Sequence, residues 1–223
     1  MPLGVDLDGE VRRVDPDRWL TSRFIADLAR RAGVVALYAL DHELARAESA
    51  TSNPLAAEVR LVWWSETLAE IYAGRPVRRH PVAEATASAI TAYDLPHAPF
   101  ETLIRTRIGA LGVRHFAGAG ARAWSFGAQA SLAGLAARVL GGEAALAEPA
   151  GLVWGLHRLS RDGLASGVEA EFRSALWEAA GAARRLPVHA FPAALPAALA
   201  RAPGASELSK RMRLTWSVMT GRL

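Results

Sequence analysis

Not one of the 223 residues is cysteine, so disulfides, zinc–thiolate sites, iron–sulfur ligation and a thiol nucleophile are excluded. The fold must stand on packing. Lysine is nearly as scarce: Lys210 is the only one, which makes almost all the positive charge arginine, the better fork for phosphates and carboxylates. Long apolar runs are missing as well. No uninterrupted stretch approaches the roughly 20 residues of a membrane span, and MPLGVDLDGEVRRVDPDRW holds no basic leader followed by an apolar run. These absences predict a cytoplasmic protein, attached at most to a membrane surface. A formal net charge of +4 is too small an excess to point to nucleic acid.

What is present reads as helix. Hydrophobic residues make up 51 % and charged residues 22 %, enough to bury a core within the size of one domain. Asp15-Pro16 and Asn53-Pro54 are helix openings, a capping side chain followed by proline at the first helical position. From Asn53 the chain runs to Gly74 with Leu61, Trp64, Leu68, Ile71 and Tyr72 on one stripe. Further helices are predicted over 34–48, 81–92, 99–113, 121–140, 149–161, 168–185, 192–200 and 206–219, separated by Pro and Gly. FPAALPAALARAPGA reads as a loose connection before the last helix. No period-two alternation is convincing, so an all-α fold is expected.

Three stretches carry a family resemblance. RAGVVALYALDHELARAE (31–48) is similar to the A-L-Y-A-F-C-R-x-x-D-D-x-x-D segment of squalene/phytoene synthases. Arg60-Leu61-Val62-Trp63-Trp64, then Gly74 and His80-Pro81-Val82, resemble that family's R-L-x-W-W, G and H-P-V landmarks. GLVWGLHRLSRD (151–162) is similar to its G-x-A-x-Q-L-T-N-I-L-R-D helix. The resemblance implies one isoprenoid-synthase-like helical domain over 1–223, about eight to ten helices around a central cavity, with a core near 18–185 and a C-terminal amphipathic helix at 206–219.

The chemistry implied by the family needs Mg²⁺ held by two aspartate clusters, each cluster's outer members four residues apart on one helix face. Aligned on ALYAL, Ala45, Arg46 and Ser49 stand where the first cluster belongs; in the second, Asp162 remains while Ala165 and Ser166 replace the acids after it and Arg158 replaces an asparagine. Trp124–Ala133 departs from the family's Y-x-x-x-A-G-x-V-G helix, and the chain is short for the family, with the shortfall after Asp162. No catalytic residue, metal ligand or cofactor is therefore assigned. The pattern resembles a degenerate branch that includes the mitochondrial complex I assembly factor and its bacterial relatives, which implies a lipid-binding or partner-binding helper.

The candidate cavity residues are Tyr38, Asp41, Ala45, Glu48, Arg60, Trp64, Trp154, Arg158 and Asp162. Asp41 and Glu48 could join Asp162 in a shifted Mg²⁺ site, which would make the chain a head-to-head prenyltransferase after all. The preferred reading pairs Asp41 with an arginine such as Arg60, because a buried carboxylate needs a partner, and pairs Asp162 with its neighbour Arg161. Tyr38, Trp63, Trp64 and Trp154 could line a cavity for an apolar lipid or isoprenoid tail or could pack as core. His42-Glu43 is not a zinc helix, since Arg46 takes the second histidine position, and Gly118-Ala119-Gly120 follows no predicted strand. The last helix sets Leu208, Met212, Trp216 and Met219 against Lys210, Arg211 and Arg213. It could lie on an anionic membrane as a peripheral adaptor or meet a protein partner; docking of its apolar face on the domain is preferred.

Overall fold

The computed structural model describes residues 6–49 and 53–223, without the side chains of Glu48 and Ser49. Among these residues the fold is all-α apart from one two-residue strand pairing, and the chain divides into two compact units, Met1–Gly112 and Val113–Leu223.

In the first unit, α1 (Leu7–Val14), unforeseen in the sequence, opens under Asp6, which accepts the Gly9 N–H at 3.0 Å. Asp15 caps α2 (Pro16–Ser22) by accepting the Arg18 N–H at 3.1 Å. Helix α3 (Leu28–Ser49) starts six residues before the predicted Val34, because Asp27 accepts the N–H groups of Ala29 and Arg30 and so supplies an earlier cap. Asn53 caps α4 (Pro54–Tyr72) through the Leu55 N–H at 3.0 Å, as its sequence predicts, and buries Leu61, Trp64 and Leu68. Helices α5 (Pro81–Tyr93) and α6 (His97–Gly109) complete the unit. The apolar residues of α3 (Val34, Leu37, Leu40 and Leu44) are buried, and the helix packs on α1, α4 and α5, while α4 also packs on α6.

In the second unit, α7 (Gly118–Ser125) and α8 (Ser131–Val139) are joined by a π-helical segment, Phe126–Ala130. The single helix expected over 121–140 thus contains one wide turn. Helix α9 (Ala144–Arg161) is the hub, packed on α7, the π segment, α8, α10 (Glu169–Ala183) and α11 (Leu195–Ala200). It begins five residues before Pro149, which lies inside it and deletes one backbone bond without stopping the helix. Strands β1 (Phe116–Ala117) and β2 (Ala165–Ser166) pair in parallel. Only the end of the Ala/Pro-rich stretch expected to be loose is so: 201–205 is irregular and partly exposed, whereas Ala190 to Ala200 is buried throughout, as a 3₁₀ turn (Phe191–Ala193) followed by α11, where a short helix over 192–200 was predicted. Alanines allow that close packing, and the composition that suggested a linker is what fits the segment into the core. Helix α12 (Glu207–Thr220) is capped by Ser206 and ends at Gly221 with φ 64°.

Candidate functional site

Helix α3 brings Tyr38 and Asp41 inward, and Asp41 is 0 % exposed. Arg60 is not its partner. The Arg18 guanidinium of α2 donates to one carboxylate oxygen at 2.7 Å, and the Arg107 guanidinium of α6 donates to the other. Both arginines are 2 % exposed. Arg18 also binds Asp15 at 2.6 Å and lies 4.8 Å above the Tyr38 ring. Burial alone would lower the Arg18 pKa, but Asp15 and Asp41 outweigh it and push it up. Burial likewise pushes the Tyr38 phenol up to about 12. Asp41 is thus a buried structural anion whose two oxygens are committed to cations on two other helices, and the sequence gives one clue to this: Arg107 continues the apolar face Phe100, Leu103, Ile104 of α6, a position where a charge needs a buried partner.

One turn further along α3, Ala45 and Arg46 turn outward while Leu44 and Ala47 stay buried. Arg46, at one of the family's aspartate positions, is 60 % exposed and pairs with Glu43 at 3.0 Å, while Ala45 is half-buried. A cavity of about 570 Å³ opens here among Glu43, Arg46 and Ala47 of α3, Arg60, Trp63 and Trp64 of α4, and His80 at the start of α5. Its aromatic wall is built edge to face: Trp63 and Trp64 are 5.0 Å apart, and the His80 ring lies 5.0 Å from Trp64. Arg78 sits 5.3 Å over the Trp63 ring, held by Glu70 at 2.7 Å and Glu66 at 3.0 Å. His80 Nδ1 is buried without a hydrogen-bond partner among the described residues. Of the expected cavity residues on α3 and α4, Arg60 and Trp64 line this opening; Tyr38, Asp41 and Ala45 do not, and the Glu48 side chain lies outside the described residues. Trp63, weighed in the sequence as a possible cavity wall, lines it as well, whereas Glu43 and His80 are lining residues that the sequence did not single out for the cavity.

In the second unit, Trp154 is 2 % exposed, 5.4 Å from the His157 ring, and its indole N–H has no hydrogen-bond partner among the described residues. Arg158 is half-buried on the same helix, and its carbonyl accepts the Asp162 N–H at 2.9 Å. The Asp162 carboxylate takes Arg161 at 2.9 Å, the ion pair expected from sequence. Residues 162–166 do not share a helix face here. Helix α9 stops at Arg161, Gly163 turns the chain at φ 71°, and Ala165 and Ser166 lie in β2, where Ser166 Oγ meets His115 Nε2 at 2.8 Å.

The sequence matches the family description of squalene/phytoene synthase over residues 11–162. The chain belongs to the squalene/phytoene synthase family. No curated protein matches it. Its fold is similar to that of the squalene synthase HpnC from Alicyclobacillus acidocaldarius, at TM-score 0.69 and 14 % identity over 97 % of this chain and 96 % of that one. It is equally similar to a dehydrosqualene synthase solved with a ligand, at TM-score 0.70 and 12 % identity over 96 % and 94 %. The shortfall expected after Asp162 is not seen against these two, of which this chain covers 96 % and 94 %.

Among the described residues, the positions that would hold the divalent cations implied by the squalene/phytoene synthase family offer no converging set of carboxylates. Hard cations need converging carboxylate oxygens. Asp41 already accepts from two buried guanidinium groups, positions 45 and 46 hold Ala and Arg, and positions 165 and 166 hold Ala and Ser. Among the described residues no three His, Asp or Glu side chains are grouped to hold a metal.

Proposed function

We propose that this family member is catalytically degenerate and acts as a binding helper, taking an amphiphile with an anionic head and an apolar, isoprenoid-like tail into the α3–α4–α5 cavity. The observation that carries this reading is the fate of the α3 carboxylate: Asp41 is sequestered by Arg18 and Arg107, and Arg46 stands at the cavity where the family pattern has an aspartate. The cavity lining sets Arg46 and Arg60 against Glu43, a net positive charge that favours an anionic head without a metal bridge. Arg60 supplies an exposed guanidinium to the head, and Trp63 and Trp64 offer the tail an apolar wall. A place in respiratory complex I assembly rests on the sequence resemblance alone and would make the bound lipid or a protein partner the object of the helper role. The competing reading, a prenyltransferase with Mg²⁺ around Asp41, Glu48 and Asp162, would have to strip Asp41 of two buried cations.

Isothermal titration with farnesyl diphosphate, with and without Mg²⁺, followed by product analysis, tests the proposal. Binding that is indifferent to chelator and leaves the diphosphate intact is expected. Mg²⁺-dependent release of pyrophosphate would overturn it.

A further inference from the structure

Helix α12 is docked by the face opposite the one its amphipathic pattern suggested. Leu214 and Ser217 are buried against the unit, where the helix packs on α11, while Leu208, Met212, Trp216 and Met219 are 68 %, 65 %, 65 % and 77 % exposed. At about 100° per residue these four fall within an arc of about 80°, nearly opposite Leu214 and Ser217. An uninterrupted row of four large apolar side chains along one helix is not the scattered exposure common on protein surfaces.

The charge around that row is equally uneven. Residues 201–223 contain five basic side chains (Arg201, Lys210, Arg211, Arg213 and Arg222) against Glu207 alone, so they carry the whole formal net charge of +4; residues 1–200 balance 21 basic against 21 acidic. Arg211 and Arg213 flank the apolar row on its two sides, and Arg211 reaches back to Glu207 at 3.1 Å. Apolar side chains between basic flanks, with an indole among them, match the boundary between lipid headgroups and acyl chains. No helix among the described residues is long and apolar enough to cross a membrane.

From this we infer that α12 is a surface anchor for an anionic lipid bilayer: Leu208, Met212, Trp216 and Met219 enter the headgroup boundary while the neighbouring cations meet lipid phosphates. The inference is independent of the cavity in the first unit.

The test is co-sedimentation of the full chain with vesicles of phosphatidylcholine alone or mixed with phosphatidylglycerol. Pelleting with the anionic vesicles only is expected, with release as salt rises from about 0.1 M to about 0.5 M. Trp216→Ser and Met212→Ser, at exposed positions, should each keep the wild-type melting curve and together weaken partitioning by about tenfold or more. Absence of pelleting at low salt, or equal pelleting of wild type and the double variant, overturns the inference. So does a wild-type dimer that Trp216→Ser converts to monomer without any vesicle binding, which would make the row a contact between copies.

Discussion

Asp41 and Arg107 are 66 positions apart in sequence and joined inside the first unit by a buried hydrogen-bonded ion pair, with Arg18 on the remaining carboxylate oxygen. Removing one member of such a group leaves uncompensated buried charge, which costs about 3–5 kcal/mol. Asp41→Asn, which preserves shape, should therefore lower the unfolding free energy of the metal-free protein by that amount, read as a lower urea midpoint with little change in slope. Were Asp41 a metal ligand, the same substitution would leave the metal-free protein nearly as stable and would abolish stabilisation by Mg²⁺.

Tyr38 gives the same cluster a signature at high pH. Its phenol is pushed from an ordinary value of 10.0 up to about 12, mainly by burial, so the folded state holds the proton more tightly than the unfolded chain. A raised folded pKa means stability that is intact below pH 10 and declines as pH climbs from 10 toward 12. Tyr38→Phe should flatten that decline in pH-dependent denaturation, and the tyrosinate absorbance of the folded variant should lose its late-titrating component. Equal decline in both proteins would place the alkaline transition elsewhere, with Tyr72 the next group that burial pushes up.

The helices were legible wherever a cap and a proline coincide, at Asp15-Pro16 and Asn53-Pro54, because those signals act within a few residues. The family was legible in its spaced landmarks, which fall almost wholly within the matched span 11–162. Asp41's partners were not: proximity in sequence favoured Arg60, and only the fold brings α2 and α6 to α3. Helix α12 shows a different limit. Its pattern marks an apolar stripe but says nothing of which side is covered, and the smaller Leu214–Ser217 side is the one that docks. The end of α9 was legible too: the helix predicted to stop at 161 ends at Arg161, and Gly163 follows at φ 71°.

Arg60 and Trp64 line one cavity and should separate binding from stability. Arg60 is exposed and Trp64 is 4 % exposed. Arg60→Gln should change unfolding by no more than about 0.5 kcal/mol, yet weaken farnesyl diphosphate binding by about tenfold, the scale of one charge-assisted hydrogen bond. Trp64→Ala should cost about 3–5 kcal/mol of stability. Calorimetry and urea melts on the two variants check both halves; unchanged affinity in Arg60→Gln would remove the anionic head from the proposed ligand.

The crossing of α9 over the π segment yields the last prediction, in which one substitution has opposite signs at two positions of the second unit. A Cβ at Gly151 would lie 2.4 Å from the Gln129 carbonyl oxygen and 2.7 Å from the Ala130 Cα, both backbone atoms that cannot rotate aside. Gly155, one turn on, would place its Cβ 2.6 Å from that of Ser125, so the two glycines together set how near α9 lies to the wide turn and to the end of α7 before it. Gly181 is inside α10, exposed, with nothing within 4 Å of an added Cβ. Gly151→Ala should therefore destabilise by about 1–3 kcal/mol through forced separation of the helices, whereas Gly181→Ala should stabilise by about 0.4–1 kcal/mol by restricting the unfolded chain and favouring helix. Thermal melts of the two variants, shifted in opposite directions from wild type, are the expected result; a neutral Gly151→Ala would mean that α9 does not approach the π segment closely.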